Sequence, residues 1–312
     1  MQTLGSIEAV FALLDTLDAG EPLSHGALTV VPLLAPAALE PDWLTLAEAG
    51  AAVTIGEVSA EGEVPALRVV NDADRPVLLL DGEELVGARQ NRILNTTVLV
   101  AAHATLRIPV SCVEQGRWSY RGGRFDPADA SLFASARAKK AARVSASLRA
   151  LGGHMSDQDE IWRDIAKTLR ASKVESPTGA MRDFYRRHAD DVAATSRALL
   201  PRPGQTGAAV SVAGRWLGLD LLAAPDLFAR AWVTLSSGYA AEGLGRDASP
   251  GAPDVRALLA RIAALPIEEA PAVGLGHELR IAAQGAAGAA LVVDDRLAHL
   301  MVFPTAAFPA GA

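Results

Sequence analysis

The stretch from Asp81 to Trp118 constrains the fold of this chain more than any other part of it. It contains two apolar runs, Ile93–Ala101 and Leu106–Val113, in a pattern typical of buried β-strands. Carboxylate, amide and guanidinium side chains stand at both ends of these runs. Such groups are costly to bury unless they pair with one another or with a ligand. The sequence therefore predicts a polar cluster at the ends of buried strands, and this cluster is the first place to look for a site.

Strand candidates follow one another closely in the first 125 residues, about seven in all, with turn-prone segments between them. This spacing is typical of an antiparallel β-sandwich or a jelly-roll-like sheet. Helical periodicity begins after Phe125, and a proline- and glycine-rich break follows at 201–204. We therefore expect an α+β fold in three portions: a β-rich sandwich over 1–125, helices packed on it over 126–204, and an α+β portion over 205–312. The alternative is one continuous globular unit.

Composition and charge restrict the possible partners. The chain has 312 residues, 29 basic and 36 acidic, and a formal net charge of −7. This acidic surplus gives no reason to expect nucleic-acid or membrane binding. Four basic residues of the first central helix could form a local patch, but a solvated helix face is the favoured interpretation: Arg137, Lys139, Lys140 and Arg143.

Several features of the sequence indicate a soluble protein of a reducing cytoplasm. The N-terminus has no basic region ahead of its apolar residues, and no apolar run approaches the roughly 18–20 residues of a membrane span. Cys112 is the single cysteine, which rules out an internal disulfide and a cysteine-rich zinc site. Cys112 itself fits a small buried hydrophobic residue better than a nucleophile.

Two glutamates are the candidate catalytic residues. Alternation along the second run places Glu114 at the end of an apolar face, where a carboxylate either pairs with an arginine or has a raised pKa and transfers protons. Pairing is favoured because Arg92 and Arg117 are close in sequence. Glu84, with its neighbour Glu83, could serve in acid–base chemistry or hold a hard cation, although Glu83 also fits a solvated turn.

The candidate ligand-binding residues are amides and arginines with one aromatic neighbour. Such groups suit sugar hydroxyls, amides or phosphate, and they suit the capping of strand ends equally well. Asn95 lies inside an apolar run, so it is either a structural clamp or a ligand contact. The full set is Gln90, Asn91, Arg92, Asn95, Arg117 and Trp118.

Known catalytic and cofactor signatures are missing from the sequence. The histidines are scattered, so no metal site is predicted. No phosphate-binding GxxxxGK[ST], no GxGxxG after a strand and no GxSxG occurs. The cofactor, if there is one, stays undetermined.

The segments DGEELVGARQNRILNTTVLV and IPVSCVEQGRW resemble a bacterial domain family without an assigned activity, the ARG-and-rhodanese-phosphatase-superfamily-associated protein domain. Weaker similarity continues at SDQDEIWRDIAKTL, SPTGAMRDFY, GRWLGLDLLAAPDLF and ALVVDDRLAHLMVF, so the resemblance covers most of the chain. The genomic company of that family includes ADP-ribosylglycohydrolases and phosphatase-like proteins. The resemblance therefore implies a context in ADP-ribose or NAD metabolism, and it supplies no catalytic residue.

Two hypotheses of different classes remain. In the first, the protein binds, and in one version processes, a nucleotide-derived ligand such as ADP-ribose or NAD. Arg92 and Arg117 would then meet phosphate, the amides would hold sugar or amide groups, and Glu84 or Glu114 would act as acid, base or anchor. In the second, the protein is a scaffold or interaction module, and its polar motif is a hydrogen-bonded structural core. Whether the chain is an enzyme is left open.

Overall fold

The computed structural model describes residues 3–36, 40–59, 62–119, 121–247 and 251–305. Its helices are α1 (Thr3–Thr16), α2 (Leu46–Ala49), α3 (Ala134–Leu151), α4 (Gln158–Ala171), α5 (Met181–Arg187), α6 (Ala189–Ala198), α7 (Pro225–Gly243) and α8 (Val255–Ala263). Its strands are β1 (Asp18–Ala19), β2 (Leu23–His25), β3 (Leu28–Leu34), β4 (Leu44–Thr45), β5 (Val53–Glu57), β6 (Ala66–Asn71), β7 (Val77–Leu79), β8 (Glu83–Ala88), β9 (Arg92–Leu94), β10 (Val98–Val100), β11 (Thr105–Cys112), β12 (Arg121–Ser131), β13 (Gln205–Val212), β14 (Arg215–Leu222), β15 (Ile267–Pro271), β16 (His277–Ala283), β17 (Ala286–Val293) and β18 (Arg296–Pro304). No helix within these ranges is long and apolar enough to cross a membrane.

A large antiparallel sheet is covered by helices on both of its faces. Its order among the described strands is β1-β3-β13-β14-β18-β17-β16-β15, and β2 also pairs with β3. Helices α3 and α7 pack on one face, and α1 and α8 pack on the other. In β13, Ala208 and Val210 belong to the first of these cores and Ala209 to the second, as the two-residue period of a strand requires. Every residue of β13 and β17 is buried, which fits strands enclosed between two helical layers.

A closed barrel stands beside this sheet and carries the Asp81–Trp118 stretch. Its strand order is β11-β6-β5-β12-β8-β9. The interior is filled by apolar side chains at alternating positions, such as Ile108 and Val110 of β11. A small sheet of order β10-β7-β4 joins the same apolar core. Helix α7 contacts both β12 of the barrel and β13 of the large sheet, so it links the two layers.

The α+β class is confirmed, but the β-rich part is a closed barrel where the sequence predicts a sandwich or jelly roll. The predicted run Ile93–Ala101 is divided: β9 belongs to the barrel and β10 to the small sheet. The run is divided because the polar residues between β9 and β10 each bond to a different part of the chain. Asn95 donates to the carbonyl of His154, Thr96 donates to Glu278, and Thr97 bonds to His299.

Pairing crosses both predicted boundaries. Strand β12 runs through residue 125, and β3 pairs along its length with β13, which follows the break at 201–204. The last helical segment before the break at 201–204 consists of two helices, α5 and α6, that meet at His188. The division into three portions remains a prediction about independent folding.

Candidate functional site

Most of the predicted site residues lie together at one end of the barrel. Strands β9 and β11 are antiparallel, so the residues before β9 lie next to those that follow β11. This arrangement brings together what we call the barrel-end cluster: Gln90, Asn91, Arg92, Glu114, Arg117 and Trp118. Glu84 and Asn95 lie outside it.

Glu114 is a fully partnered carboxylate. One oxygen lies 2.7 Å from Nη2 of Arg117 and accepts the backbone N–H of Asn91 at 3.3 Å. The other accepts the hydroxyl of Thr178 at 3.0 Å. Burial alone would raise the pKa of Glu114, but the hydrogen bonds from Arg117, Thr178 and Asn91 together hold it below its ordinary value. Glu114 therefore anchors the loop before α5 to the barrel in its ionised form.

Arg92 is fully buried and only half of its guanidinium group is used. Its Nη1 donates to the backbone carbonyl and to Oε1 of Gln90, at 3.0 and 3.3 Å. Its Nε and Nη2 have no hydrogen-bond partner. Both carboxylate oxygens of Glu57, an acid at the end of β5 that the sequence motif does not include, are likewise buried and unpartnered. The ring of Trp118, 47% exposed, has its centroid 5.8 Å from Cζ of Arg92.

Glu84 lies on the outer wall of the barrel, beneath α5. One of its oxygens is 3.3 Å from Nη1 of Arg182, and Oε1 has no partner. Burial raises the pKa of Glu84 to about 7 against the opposing effect of Arg182, and the charge of Glu114 raises it further. Of the two candidate catalytic glutamates, Glu84 and Glu114, only Glu84 therefore has its pKa raised towards neutral pH.

The neighbouring Glu83 is buried, so the interpretation that it lies in a solvated turn is wrong. The turn that carries it is covered: a side chain on Gly82 would stand 3.1 Å from Arg137. Glu83 accepts the backbone N–H of Leu80 at 3.1 Å. Burial raises its pKa to about 7, the Leu80 hydrogen bond opposes this shift, and Asp129 adds to it.

Asn95 joins the barrel to the connection between α3 and α4. Its amide donates to the carbonyl of His154 at 2.9 Å and accepts the hydroxyl of Ser111 at 2.7 Å. The amide group thus donates to one partner within the chain and accepts from another. This arrangement matches the structural clamp, which was one of the two roles that the sequence suggested for Asn95.

A buried ionic network lies between the barrel, α3 and the large sheet. Arg137 and Lys140 are each 1% exposed, so the expected solvated face of α3 is wrong for these two residues. Arg137 forms two parallel hydrogen bonds with Asp220, at 2.9 and 3.0 Å, and a third with Asp81 at 3.3 Å. Lys140 pairs with Asp81, and His299 bonds to Asp220 at 3.0 Å. The network fixes the start of the motif against the sheet.

The network also has an electrostatic signature. Burial lowers the pKa of Lys140 to about 8, although Asp81 opposes this shift. Burial would raise the pKa of Asp220, but Arg137 and His299 hold it well below its ordinary value. One feature of the sequence indicates that this face of α3 is buried. Arg137 and Lys140 stand among closely spaced alanines, and a helix face made of such small residues can pack closely against other backbones.

A cavity of about 470 Å³ opens between α5, α6 and α7, and we call it the helix cavity. Its apolar wall includes Val192, Trp232 and Val233. Around this wall lie polar groups that sequence reasoning did not connect, because α5 and α7 are far apart in the chain: Asp129, Arg182, Tyr185, Arg186, Ser196, Arg197, Ser236 and Ser237.

The charged groups that line the helix cavity are mainly cationic. Within the described ranges, no group of three or more histidine, cysteine or acidic side chains is placed to hold a metal ion. The helix cavity instead presents three guanidinium groups, and the one on Arg182 is tied to Glu84 behind the wall. Arginines around an apolar pocket suit a ligand with phosphate or carboxylate groups and a hydrophobic ring.

Comparison with known protein families matches residues 16–303 to the ARPP-1 model, described as the ARG and Rhodanese-Phosphatase-superfamily-associated Protein domain. This match confirms the resemblance that the sequence motifs indicate, over nearly the whole chain. Neither a curated protein nor a solved structure matches the chain at a significant level.

Proposed function

We propose, since the chain belongs to the ARPP-1 family, that it binds a nucleotide-derived ligand with phosphate groups, for which ADP-ribose and NAD are the first candidates. The observation that carries this proposal is the helix cavity, which combines an apolar wall with three arginines. The choice of ligand rests on the genomic context that the family resemblance implies.

The size and lining of the helix cavity support a ligand of this class. Its volume of about 470 Å³ lies inside the range of about 300–1,000 Å³ that is typical of small-molecule sites. Trp232 and Val192 are buried in its wall, while Val233 is 54% exposed at its rim. A flat base would bury its apolar faces against these side chains.

The three arginines are the proposed phosphate contacts. Arg182 is partly exposed and held by Glu84 at 3.3 Å, so less side-chain entropy is lost when a ligand binds it. Arg186 and Arg197 are exposed at the same cavity, where they can close on a second phosphate. We therefore propose that the diphosphate lies along α5 and α6, with the base toward α7.

If the ligand is also processed, we propose Glu84 for proton transfer. A carboxyl with a pKa of about 7 exchanges protons readily near neutral pH, whereas Glu114 is held ionised by its partners. Incubation of ADP-ribose with the protein, followed by chromatography of the products, would reveal turnover. Turnover that survives Glu84→Gln would refute the assignment.

Calorimetric titration with ADP-ribose, NAD and AMP tests binding itself. Ala193→Trp would fill the cavity, and Ala194→Trp, at a neighbouring half-buried position outside the lining, is its matched control. Arg197→Gln should weaken binding about tenfold, as the loss of one charged hydrogen bond implies, and Arg187→Gln, outside the cavity on α5, should not. No binding of any nucleotide by the wild type would refute the proposal.

A second candidate, a non-catalytic scaffold, is favoured by the partnered polar groups of the motif. Asp81, Asn95 and Glu114 all have their polar atoms engaged within the chain. Under this alternative, Arg92→Ala and Glu114→Ala both lower the melting temperature sharply, and no nucleotide raises it. Stabilisation of the wild type by ADP-ribose would exclude the alternative.

A further inference from the structure

The barrel end presents a free edge of a buried guanidinium group. Arg92 is 0% exposed, its Nη1 is bonded to Gln90, and Nε and Nη2 have no partner. Nε and Nη2 share one edge of the guanidinium plane, and this edge can bind two oxygens of one phosphate or carboxylate side by side. A buried cation with two unused donors is unfavourable unless a ligand or water completes it.

Unused acceptors lie at the same end of the barrel. Glu57 ends β5, two residues after the inward-facing Ile55, and so shares its side of the strand. Both of its oxygens are buried without a hydrogen-bond partner. Glu57 and Arg92 attract each other electrostatically, yet no ion pair or hydrogen bond joins them. The barrel end therefore offers two unused donors on Arg92 and two unused acceptors on Glu57.

Two further features of the barrel end restrict the ligand. Arg117 is neutralised by Glu114 at 2.7 Å, so it is not the guanidinium group that an anionic ligand would meet. The half-exposed ring of Trp118 lies 5.5 Å from Cζ of Arg89 and 5.8 Å from Cζ of Arg92. A ligand bound to Arg92 would therefore lie close to an aromatic surface of the kind on which sugar rings pack.

We propose that the barrel end binds a small sugar phosphate, in addition to the ligand of the helix cavity. Its phosphate lies on the Nε and Nη2 edge of Arg92, a hydroxyl group donates to Glu57, and the sugar ring lies against Trp118. This site uses groups that the proposed function leaves unused, and it shares no lining residue with the helix cavity.

Calorimetric titration of the full chain with ribose 5-phosphate, at constant ionic strength, tests the site. Ribose alone and inorganic phosphate alone should each bind at least about tenfold more weakly, because each engages only one half of the site. Equal affinity for inorganic phosphate would show a simple anion site and overturn the sugar phosphate assignment. A wild-type Kd above about 1 mM for ribose 5-phosphate would overturn the site altogether.

Three variants assign the contacts. Arg92→Lys keeps the charge but loses the two-donor edge, so affinity should fall about tenfold or more. Arg107→Lys, an exposed arginine of the adjacent strand β11 that pairs with Glu63, is the matched control and should bind as the wild type does. Unchanged binding by Arg92→Lys would overturn the proposal.

Trp118→Leu and Glu57→Gln keep the proposal testable if Arg92→Lys does not fold. Both positions are partly exposed, and both variants should weaken ribose 5-phosphate binding while inorganic phosphate binding is retained. If Glu57 instead serves as the internal partner of Arg92 in solution, Glu57→Gln lowers stability and leaves affinity unchanged, which would overturn the proposal. The cavity variant Ala193→Trp should leave ribose 5-phosphate binding intact, which separates this site from the proposed function.

Discussion

Replacing Glu84 by glutamine should stabilise the protein, and only at neutral and alkaline pH. The pKa of Glu84 rises from an ordinary value of 4.5 to about 7 in the folded state, chiefly because the carboxyl is buried. The folded chain thus holds this proton more tightly than the unfolded chain, so ionisation of Glu84 removes stability as the pH rises from 4.5 to 7. The difference between the two pKa values corresponds to about 3 kcal/mol. Glutamine resembles the protonated carboxyl and avoids this loss.

Urea unfolding, followed by tryptophan fluorescence between about pH 5 and pH 8.5, would measure the effect. The free energy of unfolding of Glu84→Gln should exceed that of the wild type by less than about 1 kcal/mol near pH 5 and by up to about 3 kcal/mol at pH 8.5. Glu114→Gln is the opposing control. Its carboxyl has a lowered pKa, which contributes stability at neutral pH that is lost at acid pH, so this variant should be less stable at pH 8.5. A pH-independent difference for Glu84→Gln, or destabilisation at pH 8.5, would refute the reasoning.

Three further predictions concern the stability of the fold. Asp220→Asn breaks the buried network and should lower the free energy of unfolding by about 3–5 kcal/mol. Asp42→Asn affects an ion pair in which Asp42 is 82% exposed, and it should lower the free energy of unfolding by less than about 1 kcal/mol. Equal effects of the two variants in urea unfolding would contradict this prediction. Cys112 is fully buried and burial raises its thiol pKa, so a thiol reagent should modify it only as fast as the chain unfolds; rapid labelling of native protein would count against it. Gly87→Ala should lower the melting temperature, because φ at Gly87 is +148° and an added Cβ would stand 2.3 Å from the carbonyl oxygen of Arg124. Gly123→Ala is the control: an added Cβ there would have no atom within 4 Å, so the melting temperature should not change.

Local sequence patterns predicted individual elements better than their assembly. The alternation that placed Glu114 at the end of an apolar face is present in β11. The barrel could not be predicted in the same way, because its closure depends on pairing between strands distant in sequence, such as β5 with β12. Local periodicity contains no information on such partners.

The candidate site shows the same limit. The sequence located the barrel-end cluster because its members stand at the ends of two adjacent strands. It did not connect Glu84 with Arg182, since these residues meet only when α5 folds back on the barrel wall. It also placed Arg137 on a solvated face, because the alanines around Arg137 indicate close packing of the helix but do not identify Asp81 and Asp220 as its partners.

A crystal structure of the protein with ADP-ribose tests the central claim most directly, since it locates the ligand as well as detecting it. Ligand density is expected in the helix cavity, with a phosphate oxygen within hydrogen-bond distance of Arg182 and the adenine against Trp232. An empty helix cavity, in crystals grown at a ligand concentration that saturates the protein in solution, would contradict it.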